Sequence, residues 1–125
     1  MTGFNGPILD ALHEARTVRI ETSRGPGSPV HRTIIWIVVD DAGRVLVRSY
    51  RGERGRWYRE LLANPSGAIH LPRVRIGVRA EPAADPDRVA ACSQALAAKY
   101  ASSRASLASM LLDDVLATTL ELSPA

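Results

Sequence analysis

Residues 44–65, RVLVRSYRGERGRWYRELLANP, constrain the fold more than any other stretch of this chain. From Arg44 to Tyr50 the pattern alternates as a half-buried strand does, with Val45, Val47 and Ser49 on one side and Leu46, Arg48 and Tyr50 on the other. Two glycines and two arginines, in Arg51-Gly52-Glu53-Arg54-Gly55, then turn the corner. Arg56 opens a short helix that carries Trp57, Tyr58, Leu61 and Leu62 on one side. Asn64-Pro65 stops it, because the residue before a proline avoids helical angles. A strand that feeds a glycine-containing basic loop and then a helix start has the makings of an anion site. Free N–H groups and the positive end of the helix dipole face the loop. Between positions 44 and 60 six arginines stand against two acids, Glu53 and Glu60. That excess needs explaining.

The flanking sequence supplies more short strands. Gly6-Pro7 predicts a helix entry, followed by Ile8, Leu9 and Leu12 on its apolar side up to about Ala15. Thr17 to Ser23 alternates as a first strand, and the turn Arg24-Gly25-Pro26-Gly27-Ser28-Pro29 ends it. Val30 to Val39 is the most apolar run, read as a central strand buried on both faces near its end. Asp40-Asp41-Ala42-Gly43 forms the hairpin that leads into residues 44–50. Ser66 to Leu71 and Val74 to Glu81 predict two more strands. Asp85-Pro86 caps a helix with the stripe Val89, Leu96 and Tyr100, with Cys92 beside it. Ser103 to Leu112 is a weaker helix or connection, and Val115 to Leu122 is a closing strand. The expected architecture is mainly β with flanking helices: a six-stranded, mostly antiparallel sheet in one domain over residues 1–125.

Composition excludes several classes. A chain of 125 residues buries roughly 65–70% of its unfolded surface as one domain. No run approaches about 18 apolar residues, and the N-terminus has no basic start followed by an apolar block, so neither a membrane span nor a secretory signal is expected. The single Cys92 forms no internal disulfide and points to the reducing cytoplasm. His13, His31 and His70 show no ligand spacing, so no metal is expected. No nucleophile elbow, Walker loop or dinucleotide fingerprint is present. Fifteen of the sixteen basic residues are arginine, the residue best shaped for bidentate phosphate or carboxylate recognition.

The order of these elements resembles the flavin and deazaflavin split β-barrel superfamily, which includes pyridoxamine phosphate oxidase and small deazaflavin-dependent nitroreductases. The matching residues are Trp57-Tyr58, Leu61, Ala63-Asn64-Pro65, Ala80-Glu81-Pro82, Asp85-Pro86, Lys99-Tyr100 and the closing Ala117-Thr118-Thr119-Leu120-Glu121-Leu122. The similarity covers about residues 16 to 122, nearly the whole chain. The resemblance implies that Arg32, Thr33 and Ile34 meet the cofactor on the apolar strand. It places Arg48, Ser49 and Tyr50 on the next strand, beside the cofactor phosphate and ring edge. Arg56 takes the place of a phosphate-binding cation, and Trp57 that of an aromatic near the ring or phosphate. Gly55-Arg56 stands where the deazaflavin enzymes carry proline or histidine, and the oxidase's Ser-Arg-Lys loop is missing, so no substrate carries over.

The expectation is therefore an oxidoreductase that binds FMN or a deazaflavin coenzyme (F-420 type) and moves hydride to or from a small organic substrate. It forms a homodimer with the cofactor between protomers, and no catalytic acid or base is assigned. Two other readings stay open: a non-enzymatic flavin or haem carrier, and a nucleic-acid module that uses the arginine-rich stretch. Single residues also have plainer roles. Arg32 fits an ion pair with Glu21 across a hairpin, and Arg73, Arg75 and Arg79 fit a solvated strand face.

Overall fold

The computed structural model describes residues 3–125. In chain order, the elements are α1 (Gly6–Glu14), β1 (Val18–Thr22), β2 (His31–Ile35), β3 (Val38–Val39), β4 (Val45–Val47), a 3-10 turn (Gly52–Arg54) and α2 (Arg56–Ala63). They continue with β5 (Ser66–Leu71), β6 (Val74–Pro82), α3 (Pro86–Lys99), α4 (Arg104–Met110), α5 (Asp113–Leu116) and β7 (Leu120–Pro124). The strands form one antiparallel sheet in the order β2-β1-β5-β6-β7-β4-β3.

The sheet has seven strands where the sequence predicts six, and the extra one comes from a break. The run 30–39, expected as one central strand, is cut at Trp36-Ile37 into β2 and β3, which are the two edges of the sheet. The cause lies in α3 and the residue that ends it. The Tyr100 hydroxyl accepts from the Ile37 N–H at 3.3 Å, and Lys99 Nζ donates to the Ile37 carbonyl at 2.7 Å. Ile37 thus spends its backbone groups on side chains instead of a neighbouring strand. Three residues of extended chain from Ile35 to Val38 span about 11 Å at most, so the two edges are drawn together. The sheet is curled into a split barrel.

Two cores follow from the pleat. Ile20, Val45, Val47, Ile69, Val78 and Leu122 fill the inside of the sheet, with Leu12, Trp57 and Leu61 packed against them from α1 and α2. Val38, Leu46, Cys92, Leu96, Tyr100 and Met110 form the second core between the sheet and α3–α4. β4 is buried on both faces because it lies between these cores. Burial pushes the Cys92 thiol up to about 11, which leaves it an inert packing group.

Two other expectations are corrected. Residues 115–119 are not strand: Thr118 and Thr119 turn their hydroxyls back to the Val115 and Leu116 carbonyls, each at 2.7 Å, and close α5. Only from Leu120 does the chain pair with β4 and β6. On α2, Leu62 is 50% exposed, and Glu60 takes the inward place. Glu60 accepts from Thr22 Oγ1 at 2.7 Å and pairs with His31 Nδ1 at 2.9 Å.

On the outer face, Glu21 of β1 ties neighbouring strands together. It bonds Arg75 of β6 at 2.9 Å and His70 of β5 at 2.7 Å, and lies 3.7 Å from Arg32 of β2. Arg75, then His70, holds its carboxyl down at about 2, from an ordinary 4.5. A depressed carboxylate stabilises the fold fully above its unfolded value and loses that contribution as the pH falls through its folded value. Glu21→Gln is therefore expected to lower the thermal midpoint at pH 7, with the gap to wild type closing between pH 4.5 and 2. A gap that stays constant over that range would show that the carboxylate is not the cause. Leu96→Ala in the second core is expected to cost about 2–5 kcal/mol in denaturant unfolding, and a loss under about half a kilocalorie would contradict the packing described.

Candidate functional site

β4 leaves the sheet between the two cores, so its alternation sends Arg48 outward under the helices. Arg48 is 2% exposed. It donates to Thr119 Oγ1 at 3.0 Å, Ser93 Oγ at 3.0 Å, and the carbonyls of Met110 at 3.1 Å and Val89 at 3.0 Å. Every one of these acceptors is neutral. Burial pulls the Arg48 pKa down, yet a guanidinium stays protonated in proteins, so a positive charge lies inside the molecule with no carboxylate in contact among the described residues.

The next residues form a compact loop. The Ser49 N–H donates to Thr118 Oγ1 at 3.1 Å, and its hydroxyl donates to the Gly52 carbonyl at 2.7 Å. Gly52 has φ +62°, a left-handed geometry that disfavours side chains, and a Cβ there would press on the Asp114 carbonyl at 3.3 Å. At Gly55 a Cβ would run into the Ser49 hydroxyl. Both glycines are thus required for the loop to pack as it does. Gly55 is also the N-cap of α2, and no side chain caps the helix. The N–H groups of the first turn are left for water or a ligand.

This loop, β2 and α4 surround a cleft of about 580 Å³, within the size range of small-molecule sites. One wall carries Thr33, Ile34 and Ile35 of β2, then Trp36. The Trp36 ring stacks on Tyr100, with centroids 3.9 Å apart and planes 3° from parallel. The opposite wall carries Ser49, Tyr50, Arg51, Gly55, Arg56 and Trp57, and Met110 and Ser106 of α4 close the third side. The charged residues lining it are Arg48, Arg51 and Arg56; no carboxylate, histidine or cysteine lines it. Neither Arg51 nor Arg56 has an acidic partner within 4 Å among the described residues. At the mouth Ile34 is 64% and Tyr50 60% exposed.

Of the eight residues singled out in the sequence, the cleft brings together Thr33, Ile34, Arg48, Ser49, Tyr50, Arg56 and Trp57. Arg32 stands apart, on the outer face beside Glu21. Arg48 lines the cleft, but it spends its donors on interior oxygens. Trp57 is mostly core, 6% exposed, with one edge on the cleft. Arg51, Trp36, Ser106, Met110 and Thr17 also line it. The basic loop held the signal for Arg51. The part played by Trp36 depends on a stack with Tyr100, 64 positions away, which no local pattern encodes. No group of three histidine, cysteine or acidic side chains suited to a metal is found among the described residues.

The two arginines should respond differently to removal. Arg48→Ala leaves buried carbonyls without a donor, so it is expected to cost about 3 kcal/mol or more in denaturant unfolding. Arg56→Ala, at an uncapped helix start, is expected to shift stability by less than about half a kilocalorie, or to raise it slightly. Equal losses for the two variants would contradict this division between framework and site.

Comparison with known proteins agrees with the fold. No curated protein matches the sequence. Among solved structures, the haem storage protein HutZ of Vibrio cholerae superposes with a TM-score of 0.63 at 16% identity, over 96% of this chain and 89% of that one. A candidate pyridoxamine 5'-phosphate oxidase from Listeria innocua gives 0.62 at 11% identity, over 95% and 90%. An F420-H2 dependent reductase gives 0.62 at 12% identity, over 86% and 93%. A protein of unknown function from Agrobacterium tumefaciens matches 95% of this chain with a TM-score of 0.65 at 18% identity, but the chain spans only 54% of its length. At these identities the likeness is one of fold, the split barrel shared with pyridoxamine oxidase-like proteins. Residues 8–122 match the model of the family described as "Uncharacterized protein conserved in bacteria (DUF2255)", and the chain belongs to that family.

Proposed function

We propose that the cleft binds a phosphate-bearing flavin-type cofactor, FMN or a deazaflavin coenzyme, and that the protein is an oxidoreductase acting on a small organic substrate. The observation that carries this reading is the charge of the cleft: three arginines and an uncapped helix start, with no carboxylate to offset them. Such a site favours an anion. The fit extends to the ring, since Ile34, Ile35 and Trp36 give an apolar wall for a flat heterocycle and the edge of Trp57 faces it. Split-barrel neighbours that include a reductase and a candidate oxidase support the same class.

In this reading Arg56 and the first-turn N–H groups of α2 hold the phosphate, with Arg51 beside them. Arg48 contributes its buried charge from behind, Thr33 offers a hydroxyl to the polar edge of the ring, and Ser49 shapes the loop through its bond to the Gly52 carbonyl. The cofactor, when bound, supplies the hydride chemistry. The protein's share is to orient the ring, neutralise the phosphate and keep water from the apolar wall. The mouth of the cleft, with Ile34 and Tyr50 exposed and Val30 exposed on the segment leading into β2, is where a second copy would close the site, in an isologous homodimer. One domain over the whole chain and a place in the cytoplasm complete the proposal. Among the described residues no helix is long and apolar enough to cross a membrane.

Titration calorimetry with FMN and riboflavin tests the phosphate site. Wild type is expected to bind FMN more tightly than riboflavin, and Arg56→Ala to weaken FMN about tenfold or more while leaving riboflavin nearly unchanged. If neither FMN nor a deazaflavin coenzyme binds, or if the variant loses both flavins equally, the phosphate assignment fails. Tight haem binding in their place would favour a carrier. Sedimentation at micromolar concentration is expected to show a dimer, and a monomer alone would contradict the shared site.

A further inference from the structure

A second cleft, of about 530 Å³, lies between α1, the β3–β4 hairpin and α3, and shares no lining residue with the first. Its body is apolar, from Val38 and Val39 on the hairpin and Ala91, Ala95 and Ala98 on α3. Lys99 lines one end. This is the only lysine in a chain that uses arginine at every other basic position. Lysine brings a chemistry that arginine lacks, because its amine becomes a nucleophile when it loses a proton.

The surroundings of Nζ suit that form. It donates to the Leu12 carbonyl at 2.9 Å and the Ile37 carbonyl at 2.7 Å. A neutral amine has two hydrogens, one for each carbonyl, and its lone pair is then left over. Among the described residues no carboxylate lies within 4 Å of Nζ to hold a third proton in place. The facing groups are known from each element. His13 comes from α1, and Asp40, Asp41 and Arg44 from the hairpin. Asp40 is taken up by Arg44 at 2.6 Å. Arg16 lies over the same Tyr100 ring as Lys99 and donates to the Lys99 carbonyl at 2.8 Å, which brings a second cation to this end of the cleft. Partial burial, aided by Arg16, brings the ammonium down to about 8.

We propose that this cleft is a carbonyl-binding site in which Lys99 forms an imine with a small apolar aldehyde. The lone pair of Nζ adds to the aldehyde carbon to make the C–N bond. The carbonyl oxygen then leaves as water with the two amine hydrogens, and a C=N bond remains. No oxidant or reductant takes part. Taking up one solvent proton, the imine nitrogen keeps a single N–H for one of the two carbonyls. The Val38, Val39 and alanine lining holds the alkyl body and disfavours aldehydes that carry a charge of their own.

Hexanal with cyanoborohydride, followed by peptide mapping of the folded protein, tests this. Only two amines exist, Lys99 and the N-terminus, so the second serves as an internal reference. Lys99 is expected to be reduced to the secondary amine at least as fast as the N-terminus, with the rate rising through about pH 8. Glyoxylate, small and anionic, is expected to label Lys99 several-fold less than hexanal, relative to the N-terminus. Lys99→Arg is expected to fold and to lose the internal label. Label confined to the N-terminus, or reaching Lys99 only in denaturant, would overturn the proposal. So would a rate profile like that of an ordinary solvent-exposed lysine, or equal labelling by the two aldehydes.

Discussion

A guanidinium buried without a carboxylate holds this structure together. Arg48 bonds to Val89 and Ser93 on α3, Met110 at the end of α4, and Thr119 before β7. Three stretches of chain, α3, the end of α4 and the segment before β7, are pinned to the end of β4 by one side chain. A buried charge without a counter-ion is costly, and four neutral oxygens offset only part of that cost. A negative ligand in the adjoining cleft would offset more. The same residue thus links the packing of the helices to the charge of the site. Any ligand that neutralises the cleft should also tighten α3 and α4 against the barrel.

The second constraint is the break at Ile37. A strand left to itself would have paired through Trp36 and Ile37, but Tyr100 and Lys99 engage the Ile37 backbone and the sheet divides there. The division places Trp36 between two environments, one side on Tyr100 and an edge on the cleft. The side chains that split the barrel therefore also brace one wall of the site. Lys99 takes part in this and lines the second cleft too, so the two cavities meet at a single structural joint.

Much of this was legible in the sequence because it is local. The strand-loop-helix unit at 44–65, the Asp85-Pro86 cap and the alternation of β6 all depend on neighbours a few residues apart, and each forms, although the strand expected over 44–50 pairs only from Val45 to Val47. What the pattern could not show came from distant partners. The run 30–39 carries no signal of its own for a break, because the groups that cause it lie at 99 and 100. Thr118 and Thr119 favour strands by composition, yet their hydroxyls close a helix turn instead. Alternation put Arg48 on the correct face of β4, but whether it would meet an anion or protein carbonyls depended on how α3 and α4 returned over it. The basic excess pointed to an anion site; which arginines are framework and which are free only became visible once the chain was folded.

We propose that anions bind at the start of α2 and not at the arginines spread over the outer face of the sheet. Amide NMR during titration with FMN addresses it residue by residue. The signals of Gly55, Arg56 and Trp57, with the Trp36 indole, are expected to shift in a saturable way, while Arg19, Arg75 and Arg79 stay still. Shifts that centre on Arg19, Arg75 and Arg79, or that never saturate, would contradict it.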